Sequence, residues 1–321
     1  TVNNGILSST EGTLSSSGFS AGAAGTVQIL GGTLILPSGG TAVSGAAFTT
    51  SNAAVSLGGT LAVADTWTST NTNLSLTREG VLSSTAPLSL ATLTTNGHHF
   101  RLISNTTDLA ITNGLTITSS IVETGLADLT LNGPINSQSG YVVSSGGKIT
   151  FGAGSNGSSF DSNSEMILND TSLVLQTDLA VPYLELSGSS LLQSNNNKLT
   201  PGLLRIGMAS ELDFTDIVTN TNTILRLAGN SGIKKTGALI LNRIEIDGHT
   251  LTLNPNITGL TAEGINLTNY DNSSNNYLTN DGKLLASGVD INMTKRLWVS
   301  KGKIEMGGGT LTLVQGGGLD S

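Results

Sequence analysis

Apolar residues along this chain alternate with Thr, Ser and Asn in short bursts, and a period of two is the signature of strands with one buried face. Leu61/Val63, Leu74/Leu76, Leu109/Ile111, Leu115/Ile117 and Leu129/Leu131 carry the pattern through the first half. Leu173/Leu175, Leu184/Leu186, Ile244/Ile246, Leu251/Leu253, Val289/Ile291, Leu297/Val299, Ile304/Met306 and Leu311/Leu313 continue it. Between the bursts stand Gly-Gly, Asn-Gly, Asp-Gly, Ser-Gly and Asn-Pro. These form turns because Gly and Asn tolerate positive φ at little cost. No long stretch repeats apolar side chains at i, i+3, i+4 and i+7, so very little helix is predicted.

Strand spacing separates the all-β architectures. The pairs starting at Leu239, Ile244 and Leu251 are five and seven residues apart, and those at Leu297, Ile304 and Leu311 are seven apart twice. Sandwiches and barrels space their strands at ~8–12 residues. Connections this short turn corners in a coil whose successive turns stack in parallel. Three strands and their corners make a rung of roughly 20–25 residues, so 321 residues give about thirteen to sixteen rungs. Self-similarity agrees: Leu129-Thr-Leu-Asn-Gly-Pro-Ile135 recurs as Leu251-Thr-Leu-Asn-Pro-Asn-Ile257, and Gly-Gly-Thr-Leu begins at Gly31, Gly58 and Gly308. In such a coil Leu251 and Leu253 point inward and Thr250 and Thr252 outward. Like residues then stack on like, which suits a chain with only 4% aromatic residues.

The expectation is one continuous all-β solenoid over 1–321, looser in its Gly/Ala/Ser-rich section 1–60, with polar loops protruding near 154–164 and 268–281. Both ends break off within the pattern, so the chain reads as a fragment of a longer surface protein or as one that stacks end to end.

Composition narrows the partners. With 14 Lys and Arg against 22 Asp and Glu, the net charge of −8 opposes nucleic acid and anionic membranes. The basic stretch Lys295, Arg296, Lys301 and Lys303 reads as a protected strand edge. No apolar run approaches the ~20 residues that cross a bilayer as a helix. Cys is absent, which removes disulfides, thiolate catalysis and Cys-ligated metal.

Candidate chemistry is sparse. Arg243-Ile-Glu245-Ile-Asp247 puts three charges on an outer face above two core Ile residues, with Lys234 or Lys235 available from a neighbouring rung. Paired carboxylates are the chemistry of glycoside cleavage, and an ion-pair ladder is the plainer reading of the same residues. Asp213 and Asp216 form a second acidic pair, read as lying across a corner. Asp161-Ser-Asn163-Ser-Glu165 spaces oxygen ligands as a calcium loop does, but lacks the turning glycine of an EF-hand. Gly152-Ala-Gly154-Ser-Asn-Gly157 has dinucleotide-loop spacing with no helical face behind it. His98, His99 and His249 read as surface or corner imidazoles, and Trp67 and Trp298 as packing residues. Alternating Thr, as in 66–72, occurs sporadically, which ranks an ice-binding array low.

Thr250-Leu-Thr-Leu-Asn254, Gly-Gly-Thr-Leu, Gly147-Lys-Ile-Thr-Phe-Gly152 and Asn113-Gly-Leu-Thr-Ile-Thr118 together resemble the passenger regions of bacterial autotransporters and related filamentous-haemagglutinin-type adhesins. The resemblance implies a right-handed parallel β-helix, an extracellular or bacterial cell-surface location, and adhesion, aggregation or surface-layer construction. It supplies no catalytic residue. The expected protein is therefore a non-catalytic structural or adhesive one with no required cofactor. Its expected partners are copies of itself, the rest of its own longer chain, surface glycans or host receptors. The alternative is a polysaccharide-active β-helix lyase or glycosidase using Arg243, Glu245 and Asp247, followed by a phage fibre or an ice-binding solenoid.

Overall fold

A computed structural model describes residues 5–17, 20–21, 25–37, 42–44, 47–63, 67–103, 108–195, 197–207, 211–214, 219–235, 237–254, 256–267, 270–271, 276–277, 282–298, 302–313 and 318–320. The protein is a parallel β-solenoid, organised as two compact units, Thr1–Glu165 and Met166–Ser321. Its described helix is a single three-residue 3₁₀ turn, Ala153–Ser155.

The first unit winds with three short strands per turn. Thr26–Leu30, Thr33–Leu36 and Ala42–Ser44 make one turn, and Ala47–Ser51, Ala54–Leu57 and Thr60–Val63 lie on them in parallel register. Thr13, Thr33, Ala54, Asn73, Thr92 and Gly114 follow one another down a single column, so each turn consumes 19 to 22 residues. Corners are turned by residues in the left-handed region: Gly31 at φ 88°, Asn52 at 48° and Asn71 at 50°. Asn tolerates this conformation better than other residues with a Cβ. The Asn71 side chain also donates to Asn52 Oδ1 at 2.9 Å, tying successive corners together. At Gly31 a Cβ would stand 2.8 Å from the Thr10 carbonyl oxygen, so close backbone approach also favours glycine there.

Alternation sends Val27, Ile29, Leu34, Leu36, Val55, Leu57, Leu74 and Leu76 into a stacked aliphatic core. Each such burial contributes about 1.5–3 kcal/mol relative to exposure. Trp67 is buried against Phe48, with ring centroids 4.9 Å apart, so its indole is a packing group. Hydroxyls that enter the core find partners. Thr50 Oγ1 accepts from Trp67 Nε1 and from Thr72 Oγ1, each at 2.8 Å.

In the second unit the rung simplifies to one short and one long strand. Ser172–Leu175 leads to Leu179–Ser187, Leu191–Gln193 to Leu199–Ile206, and Thr250–Leu253 to Ile257–Asn266. Two of the three expected strands have thus fused into one of eight to ten residues. Leu251 and Leu253 are buried, Thr250 is half-buried and Thr252 is exposed, as the alternation requires. Leu311 and Leu313 depart from the pattern at 36% and 38% exposure. Their strand pairs with Ile291–Trp298, and no described turn covers it from the other side.

Over both units the ladders make about 12 turns, at the low edge of what chain length suggested. Excursions consume residues without adding turns: Thr250 pairs with Lys283, whereas Lys283 pairs with Lys303 twenty residues on. Within the excursion Tyr270–Asp271 and Asn276–Tyr277 form an antiparallel pair, the only described departure from parallel pairing. The other polar segment rejoins the stack, since Ser159–Phe160 pairs with Asn136–Ser137.

Candidate functional site

The long strands of the second unit carry a charged column on their outer face. Register aligns Glu185 with Arg205, Arg205 with Arg226, and Arg226 with Glu245. Each sits between two inward aliphatic residues, as in Leu184-Glu-Leu186, Leu204-Arg-Ile206 and Leu225-Arg-Leu227, so alternation alone sends the charge outward. Glu245 lies between two guanidinium groups, Arg226 Nε on one oxygen and Arg243 Nη2 on the other, both at 2.6 Å. At the far end Glu185 accepts from Arg205 at 2.8 Å and from the Tyr183 hydroxyl at 2.7 Å. Burial, reinforced by that carboxylate, raises the Tyr183 pKa above its ordinary value.

Arg243, Glu245 and Asp247 are therefore brought together, but the neighbouring rung supplies Arg226. Lys234 instead stands opposite Asp213 in the backbone register. Asp247 occupies a corner at φ 46° and is half-buried. Burial pushes its pKa up, the Glu245 charge adds to this, and Arg226 and His249 oppose it. A half-buried acid beside a second carboxylate has the electrostatics of a general acid. Both Glu245 oxygens, however, are already held by arginines. Sequence reasoning missed Tyr183, Glu185, Arg205 and Arg226. Their signal was a charge between two aliphatics recurring at one-rung spacing.

The remaining candidates resolve into structural duties. Asp161 Oδ1 accepts from the Ser139 amide at 2.8 Å, the Ser164 hydroxyl at 2.7 Å and the Asn163 amide at 3.2 Å. Its Oδ2 accepts from the Ser139 hydroxyl at 3.3 Å. These donors, the Ser139 amide foremost, hold its pKa below the usual carboxylate range. The carboxylate thus caps a turn, while Asn163 is exposed and Glu165 opens the strand Glu165–Asn169. Among the described residues no three His, Cys, Asp or Glu side chains gather as a metal site. Gly152 and Gly154 allow the chain to pass close to Asn132, and no helix follows them. Gly18-Phe-Ser20-Ala-Gly22 has the spacing of a nucleophile elbow, but Ser20 pairs in a parallel strand with Val43 instead of crowning a strand-to-helix turn. His98 and His99 follow the Asn96-Gly97 turn, and His99 Nε2 lies 3.9 Å from Glu123. Lys295 pairs with Glu263 at 2.6 Å and Lys303 with Glu305 at 2.9 Å. Asp216 and Lys301 lie outside the described residues, as do the side chains of Asp213, Lys235, Arg296 and Trp298.

The first unit presents a different surface. Ser56, Ser75, Thr94, Thr116, Asn136 and Ser159 stand in one outward column, each in register with the next. Beside its lower part lies an open groove of about 430 Å³ lined by Thr92, Thr94, Asn113, Thr116, Asn136 and Ser159, with Gly114 and Gly157 leaving room between them. No ionisable side chain lines it.

No protein-family model, curated protein or solved structure matches this chain. Chemical interpretation therefore rests on the two faces: an uncharged array of hydroxyls and amides in the first unit, and a column of mutually paired charges in the second.

Proposed function

We propose that this chain is a non-catalytic structural or adhesive solenoid that works outside the cell or at a bacterial surface, in the manner of autotransporter passengers and filamentous-haemagglutinin-type adhesins. The observation that carries this reading is the in-register column Ser56, Ser75, Thr94, Thr116, Asn136 and Ser159. Uncharged donors and acceptors exchange water for a partner without the desolvation cost of an ion. Their repetition along the coil adds many shallow contacts by multivalency. Partners of matching chemistry are glycan hydroxyls and the same face of a second copy.

Polysaccharide cleavage is a second reading, favoured by the half-buried Asp247 with its raised pKa beside Glu245 and Arg243. Incubation of the full chain with neutral and acidic polysaccharides separates the two, with retention on the glycan and glycan length followed together. Retention with unchanged glycan length is expected. Shortening of the glycan that disappears in Asp247→Asn would establish the enzyme instead.

A further inference from the structure

Asn-Gly occurs five times, at Asn4, Asn96, Asn113, Asn132 and Asn156. Such a pair has intrinsic chemistry, because glycine leaves its own amide nitrogen sterically open to reach the preceding side-chain carbonyl. Whether it reacts depends on how firmly the fold holds both partners. Asn4 lies outside the described residues.

The fold restrains three of the pairs. Asn96 is fixed at φ 51° with its side-chain amide donating to the Leu76 carbonyl at 2.9 Å. Asn113 and Gly114 lie within the strand Asp108–Thr118, whose ladder runs through Thr92 and Gly114. Asn132 donates its backbone N–H to the Ile111 carbonyl at 2.8 Å, and Gly133 is buried against the Asn113 backbone.

Asn156 and Gly157 are both exposed. The Asn156 side chain makes no hydrogen bond among the described residues, and the Gly157 N–H has no acceptor there. Gly157 sits at φ 84° with nothing within 4 Å of the position a Cβ would take. The frame around the pair is nevertheless held. Ser155 Oγ donates to Gly152 O and Ser158 Oγ to Ser155 O, each at 2.6 Å, and Ser158 Oγ also accepts from the Ile135 amide at 3.0 Å. The reactive pair is thus free on a fixed support.

We propose that Asn156–Gly157 is a self-modification site that converts the Asn156 amide to a carboxylate beside the uncharged groove. The Gly157 nitrogen attacks Asn156 Cγ, the Cγ–Nδ2 bond breaks, and the Gly157 proton leaves with that nitrogen as ammonia. Water then opens the cyclic imide at either carbonyl, giving aspartate or isoaspartate. One water enters and one ammonia departs, with no oxidant or cofactor. Gly157 lines the groove, so a negative charge arrives where no lining residue is ionisable. The face used for association then gains a repulsive group as the protein ages.

The test is peptide mapping by mass spectrometry of the native full chain during incubation in mildly alkaline buffer, with a denatured sample alongside. In the denatured chain Asn96, Asn113, Asn132 and Asn156 should react at similar rates. In the native chain Asn156 should react at least roughly tenfold faster than the other three, a barrier difference of about 1.4 kcal/mol. Gly157→Ala should slow that site alone. Comparable native rates at the four sites, an unreactive Asn156, or a glycan mass on Asn156 would each overturn the proposal.

Discussion

Asp247 shows how a single residue can serve the backbone and oppose it electrostatically. Its φ of 46° suits Asn as well as Asp, while half-burial and the Glu245 charge disfavour its carboxylate. Because its folded pKa is raised, the native state holds this proton more tightly than the unfolded chain, whose carboxyl titrates near ~3.9. Stability contributed by this group is therefore complete in acid and falls as pH rises through the folded pKa. Asp247→Asn should match the parent below pH ~4 and exceed it at neutral pH by about 0.5 kcal/mol or less, given solvent screening. Paired denaturant titrations across this range check the sign, and a variant less stable at neutral pH would contradict it. The cluster around Asp247 was only partly legible. Arg243, Glu245 and Asp247 are neighbours in sequence, whereas Arg226 and Arg205 join them through a register that linear reading does not reveal.

Strands were more legible than the way they combine. Period-two alternation marks Leu251 and Leu253 as inward, and both are buried. Truncating Leu251 to Ala should cost about 2–5 kcal/mol, because a stacked column leaves little freedom to close the cavity. Each turn touches only its neighbours, so the loss should remain local. Hydrogen exchange should show faster opening in the paired strands Ser231–Lys235, Thr250–Leu253 and Lys283–Leu285, with strands such as Leu34 and Val55 unchanged. Uniform loss of protection through both units would contradict this picture. Fusion of two strands into one in the second unit left no mark in the sequence. Tyr183 and Glu185, for example, keep alternating across the place where a corner was expected.

For the molecule as a whole, the decisive property is which surfaces can meet a partner cheaply. Thr and Ser look scattered in the linear sequence because the step between turns varies: Ser56 to Ser75 is 19 residues, Thr94 to Thr116 is 22, and Thr116 to Asn136 is 20. Only the backbone register gathers them into a column, which is why this face was not visible beforehand as an ordered array. The charged column of the second unit is largely satisfied within itself, through Arg226, Arg243 and Glu245. Association through the uncharged face should therefore not depend on attraction between charges, while the net charge of −8 makes copies repel at long range. Added salt screens that repulsion over a Debye length of about 8–10 Å near physiological strength. Light scattering of the full chain over a range of concentrations, at low and high salt, tests the structural reading most directly. The account predicts reversible, concentration-dependent association that strengthens modestly with salt; a monomer at every concentration and salt level would contradict it.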